Sequence, residues 1–79
     1  MFYYLYVLRS LKDKKLYIGR TTDLVRRFKE HQSGRNLSTK GRAPFKLIYY
    51  ESYSSKTKCA QQELFYKTGA GREVLRHKL

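Results

Sequence analysis

The sequence predicts an α+β fold, a small three-stranded antiparallel sheet flanked by helices, in the order ββαβαα. Two apolar, tyrosine-rich runs, YYLYVLR over 3–9 and KLYIGR over 15–20, are separated only by the polar SLKDK, the spacing of an antiparallel hairpin. A third run of the same kind, FKLIYY over 45–50, follows Pro44. Between and after these runs lie stretches with helical spacing, each preceded by a residue able to cap a helix.

The elements follow in chain order. YYLYVLR is apolar on both alternating faces, which predicts a central strand covered on both sides. Tyr4, Tyr6 and Leu8 share one face, and Leu5 and Val7 the other. In the second strand Tyr17 and Gly19 oppose Leu16 and Ile18. The hairpin therefore brings Tyr6 near Tyr17, with space left beside Gly19. Thr22 or Asp23 is placed to cap a helix from Leu24 to His31 or Gln32, because either side chain accepts from the free amides of a first turn. At about 100° per residue, Leu24, Val25 and Phe28 form its expected buried stripe. Arg27 and His31 stack at the edge of that stripe, and Ser33-Gly34 stops the helix. Residues 33–44 form a long polar loop with basic residues and no acid, a length typical of functional loops. Ser54 or Ser55 caps a second helix over 56–68. Thr68-Gly69-Ala70-Gly71 breaks it, and REVLRHKL forms a short basic final helix.

Length and charge narrow the function. Seventy-nine residues suit one domain, 1–79, with one modest core. Its single cysteine, Cys59, excludes an intrachain disulfide, and no Cys/His cluster offers a zinc site. The unpaired cysteine and the lack of a leader or membrane-length apolar run give a cytoplasmic expectation. Eighteen Lys/Arg against six Asp/Glu yield a net charge of +12, a field that attracts polyanions, above all nucleic acid. Membrane binding is not expected, since it calls for a basic amphipathic helix with a large apolar face. There is no phosphate-binding glycine loop, no HExxH and no paired-carboxylate spacing.

Among the acids, Asp13 lies in a turn, Asp23 near a cap, Glu30 on a wet helix face, Glu51 at the end of an exposed strand and Glu73 in the last helix. Glu63 differs. On the second helix it shares a sector with Cys59, Ala60 and Tyr66, with Leu64 alongside, and so points toward the sheet. An inward carboxylate is costly unless paired, so it calls for an arginine, a lysine or a metal ion. An internal salt bridge and a one-metal site both satisfy it. A two-metal nuclease site needs several converging acids, which this chain lacks. Cys59 falls on a buried face, and no nucleophilic role is expected for it.

Taken together, Tyr4-Leu5-Tyr6, Tyr17-Ile18-Gly19, Arg27, His31 and Glu63 occur in an order that resembles the GIY-YIG nuclease superfamily. The likeness extends over residues 2–70 and is greatest to its small stand-alone bacterial members. Tyr4 stands where the first motif has glycine. The resemblance implies metal-dependent hydrolysis of phosphodiester bonds, with DNA as the nucleic acid and a structure or a lesion as the target, as in DNA repair. It implies Tyr17 as general base, assisted by Tyr6 or His31, and Arg27 as stabiliser of transition-state charge. Glu63 would hold one divalent ion, Mg²⁺ or Mn²⁺, and Gly19 would be structural. Arg20, Lys40 and Arg42 are the expected backbone contacts. An inactive nucleic-acid-binding module and an RNA-directed nuclease are the alternatives. A protein partner could supply specificity, and the sequence leaves the oligomeric state open.

Overall fold

In the computed structural model, which describes residues 1–79, strand β1 (Tyr3–Ser10) runs through the middle of the sheet, between β2 (Leu16–Thr21) and β3 (Phe45–Tyr53). Both pairings are antiparallel. Helix α1 (Leu24–Gln32) follows the hairpin, and α2 (Lys56–Tyr66) and α3 (Gly69–Lys78) follow β3. The order is ββαβαα, as expected.

The double-sided apolar pattern of β1 does what it predicts. Leu5 and Val7 pack against Cys59, Tyr66 and Leu75 on the α2/α3 side. Tyr6 and Leu8 pack with Phe45, and with Tyr17, Leu24 and Phe28, on the α1 side. Burial of a side chain of this size stabilises by roughly 1.5–3 kcal/mol. A bulge in β3 sets Val7 opposite Tyr49 and Leu8 opposite Leu47, leaving Ile48 as the extra residue. Ile48 and Tyr49 thus both join the α2/α3 side while Leu47 joins the other.

The hairpin turn is tied to the loop before β3. Ser10 Oγ accepts from the Lys12 and Asp13 amides and donates to the Arg42 carbonyl at 2.6 Å. Asp23 caps α1 through the Arg26 amide, and Ser55 caps α2 through that of Lys58. Inside the 33–44 loop, Leu37–Thr39 makes one 3₁₀ turn capped by Asn36.

Four expectations about faces and ends need correction. Val25 is 66 % exposed. The inward side of α1 carries Leu24, Phe28 and the fully buried His31, rotated away from Val25 relative to what the apolar residues alone suggest. Leu64 likewise points to water. Glu51 is no exposed strand end, for it accepts hydrogen bonds from the Tyr49, Tyr53 and Tyr66 hydroxyls and from Lys78 Nζ. Burial alone would raise its carboxyl above the ordinary value, but those donors outweigh burial and hold it below. Finally, Thr68 caps α3, which begins at Gly69 itself.

Gly71 explains that last ending. A Cβ there would lie 1.7 Å from the Phe65 carbonyl oxygen, so only glycine lets α3 start so close to the end of α2. Gly71→Ala is expected to cost about 2–3 kcal/mol, lowering the melting temperature by roughly 10–20 °C. Gly69→Ala, with nothing within 4 Å of the new methyl, should leave it unchanged or slightly raised. Thermal denaturation of the two variants side by side checks both outcomes.

Candidate active site

Tyr6 and Gly19 are register partners across the hairpin, and their contact organises the site. A Cβ at Gly19 would lie 2.6 Å from the Tyr6 hydroxyl and 3.0 Å from the Tyr17 ring. The space the glycine leaves is therefore filled by the Tyr6 phenol, with Tyr17 beside it. On the far side of these rings stands His31, whose ring centroid lies 4.9 Å from that of Tyr17 and 5.8 Å from that of Tyr6.

Both nitrogens of His31 are engaged. Nε2 lies 2.8 Å from the Tyr6 hydroxyl and Nδ1 lies 2.6 Å from Thr39 Oγ1. The Thr39 hydroxyl in turn reaches the Asn36 carbonyl at 3.5 Å. That donation assigns the proton to Nδ1, so that Nε2 accepts from Tyr6. Burial, and next the Arg27 guanidinium, push the imidazole below its ordinary value, with Glu30 opposing them, which keeps the ring neutral and the chain of donors fixed. The Tyr6 phenol is driven the other way. Burial raises it far above the usual range, the Tyr17 phenol and Glu63 add to the rise, and Arg27 only partly offsets it. Tyr6 thus keeps its proton and points it at His31. Tyr17 is half-buried.

Arg27 stands at the edge of this cluster. Its Nε is 3.3 Å from Glu30 Oε1, yet the N–H is not directed at that oxygen and is buried without a hydrogen-bond partner. An unsatisfied guanidinium N–H is costly to leave unmade and ready for an incoming anion.

Glu63 approaches from α2. Its Oε1 accepts from Arg20 Nε at 2.8 Å and its Oε2 from Lys67 Nζ at 2.9 Å. The side chain is only 15 % exposed, so the inward orientation expected for it is present, and the internal salt bridge is present with it. No group of three or more His, Cys, Asp or Glu side chains converges anywhere. What the chain offers a metal is a single hard carboxylate. That donor suits a hard divalent ion whose remaining shell is water and phosphate oxygen, and no other kind.

The expected phosphate contacts divide. Arg20 is committed to Glu63, and Arg42 to Asp13 at 2.8 Å, with its guanidinium over the Phe45 ring. Lys40 is exposed and free of any carboxylate. Thr39 went unforeseen, since a threonine in a polar loop carries no periodicity that would aim it at a histidine. Lys67 was missed because its role depends on the rotation of α2 about Glu63.

A hairpin with tyrosines facing a glycine, a helix bringing arginine and histidine to them, and a glutamate from a second helix define a GIY-YIG nuclease-type catalytic domain. The family described as the GIY-YIG catalytic domain matches residues 2–73, and the chain belongs to it. It is 38% identical over 65 residues to a UPF0213 protein of Clostridium perfringens, covering 81% of this chain and 69% of that protein. A UPF0213 protein of Streptococcus pyogenes is 42% identical over 65 residues, covering 81% and 70%. The solution NMR structure of a UPF0213 protein from Bacillus halodurans superposes with a TM-score of 0.60 at 36% identity, covering 98% of this chain and 84% of that one. Nucleases of this family generally depend on a divalent metal.

The buried imidazole has a consequence for stability. In the unfolded chain a histidine takes up a proton near 6.5, whereas folded His31 resists it. Below that pH the unfolded state binds more protons, so folding stability should fall as pH drops from 6.5 toward the lowered folded value. Urea denaturation between about pH 5 and 8 should show this loss in the wild type, and a flatter profile in His31→Gln.

Proposed function

We propose that this protein is a metal-dependent endonuclease that hydrolyses phosphodiester bonds in DNA, directed by nucleic-acid structure or damage, as one nuclease domain acting in the cytoplasm. The observation that carries the reading is Arg27, whose Nε–H is buried without a hydrogen-bond partner while its charge acts on both Tyr6 and His31.

The chemistry divides among the residues by their environments. Tyr17, half-buried where Tyr6 is fully buried, acts as general base and accepts a proton from the attacking water. Tyr6 holds its own proton and orients its neighbours through the His31–Thr39 chain, so it is a positioning residue. Arg27 meets the charge that develops on the phosphate oxygens, the kind of electrostatic stabilisation that dominates phosphoryl transfer. Glu63 would hold one Mg²⁺ or Mn²⁺, which when bound supplies Lewis-acid stabilisation of the phosphate and the leaving oxygen. Arg20 keeps the Glu63 carboxylate oriented from the β2 side. Target choice then rests on the shape of the nucleic acid or on a partner protein.

Labelled flap, branched, single-stranded and duplex DNA, and matched RNA, should be incubated with Mg²⁺, Mn²⁺ or EDTA. Cleavage of DNA is expected with metal only. Arg27→Ala and Glu63→Ala should each reduce it by roughly 10²–10³-fold or more while binding persists. Binding without cleavage on every substrate would make the protein a binding module instead.

A further inference from the structure

A groove of about 970 Å³ runs along the free edge of β2, between the hairpin tip and α3. Arg9, Lys14 and Lys15 form its wall on the hairpin side, and Lys67, Arg72 and Arg76 the wall on the helical side. No acidic residue lines it. Its floor is aliphatic around Leu75, and Tyr17 lies along it.

Four of the six cations lining the groove are unpaired. Lys67 pairs with Glu63 and Arg76 with Glu73. Arg9, Lys14, Lys15 and Arg72 face no carboxylate at all. By contrast, two of the contacts expected from sequence, Arg20 and Arg42, are neutralised by Glu63 and Asp13. Unopposed positive charge is thus gathered in the groove, while on the loop at 33–44 Arg42 is paired and Arg35 and Lys40 are not. The groove borders the candidate site at the β2 edge, where Tyr17 lines it while turning its ring to the α1 side, and through the lysine on Glu63.

We infer that this groove is the track for the sugar–phosphate backbone of a nucleic-acid strand, which it leads along the edge of β2 toward the candidate site. The inference rests on the nuclease reading of the same site. A concave trench with cations on both walls fits a narrow, regularly charged polymer. A bilayer would instead need a broad outward apolar face. Contacts to phosphate set the position and register of the strand without reading its bases. Arg9, Lys15 and Arg72 are the principal contacts, since each is exposed and unpaired and they come from both walls.

The test is the salt dependence of binding to fluorescein-labelled single-stranded and duplex DNA, measured in EDTA so that no cleavage intervenes. The combined variant Arg9→Ala, Lys15→Ala, Arg72→Ala should reduce the slope of log K against log salt by roughly 2–3, and weaken binding on the order of a hundredfold near 0.1 M salt. Arg9→Lys with Arg72→Lys should retain slope and affinity, which separates lost charge from disturbed packing. A wild-type slope and affinity in the alanine variant, with the loss appearing in Lys40→Ala instead, would overturn the track. So would wild-type protein that binds anionic lipid vesicles but no DNA. Cleavage assays on the same DNA keep the two claims apart. Cleavage with an unchanged slope removes the track and leaves the nuclease, whereas a changed slope without cleavage under any metal leaves the track and removes the nuclease.

Discussion

Strand β1 is covered on both faces, and the remainder of the molecule is arranged to supply the two covers. Leu5 and Val7 meet an ordinary apolar layer made of α2 and α3. Tyr6 and Leu8 need a second layer, and the chain has only the short α1 to provide it. Apart from Leu24 and Phe28, the residue α1 drives fully into that layer is His31. A buried imidazole is tolerable only with both nitrogens satisfied. Tyr6 and Thr39 satisfy them, and so one face of the core is itself a polar relay.

That coupling accounts for several features that look separate. Gly19 is small because the Tyr6 ring must lie across it to reach the histidine. The 33–44 loop is not idle length, since its 3₁₀ turn carries Thr39 to Nδ1 and its Arg42 carbonyl anchors the hairpin through Ser10. Arg27, one turn before His31 on the same helix, is drawn partly inward by the same packing. There it adds to burial in keeping the imidazole neutral, while its own Nε–H goes unpartnered. Two tyrosines of similar sequence context thereby acquire different chemistry, because one is sealed in the relay and the other lies along a groove.

The strands were legible because their side-chain period leaves little freedom: once YYLYVLR is central, Tyr6, Tyr17 and Gly19 must share a face. The helices were less so. Apolar counting turns α1 toward Val25, since a histidine scores as polar until its partners in other segments are known. Thr39 had no pattern to betray it. Glu51 was misread because the apolar run stops at Tyr50, whereas β3 continues to Tyr53 and carries Glu51 inward among three tyrosines. The glycines at 69 and 71 signalled a break, but not that the second is demanded by the approach of Phe65. What escaped the sequence were contacts between distant segments, and the inward turn of Glu63 was found because it depends only on the spacing within α2.

The distribution of the few carboxylates matters as much as the excess of cations. Asp13, Glu30, Glu51, Glu63 and Glu73 each hold at least one basic side chain within salt-bridge distance, and Asp23 caps α1. A net charge of +12 is thus carried by the cations these acids do not reach. Lys67 and Arg76 belong to both populations, and Lys67 connects them to the site, because it lies in the groove and on Glu63 at once. An ammonium on a flexible stem can follow a stronger anion, whereas the Arg20 guanidinium is held on the other carboxylate oxygen from a strand. A phosphate that drew Lys67 away would leave one oxygen of Glu63 free. Charge in the groove and charge at the carboxylate are therefore linked through one side chain.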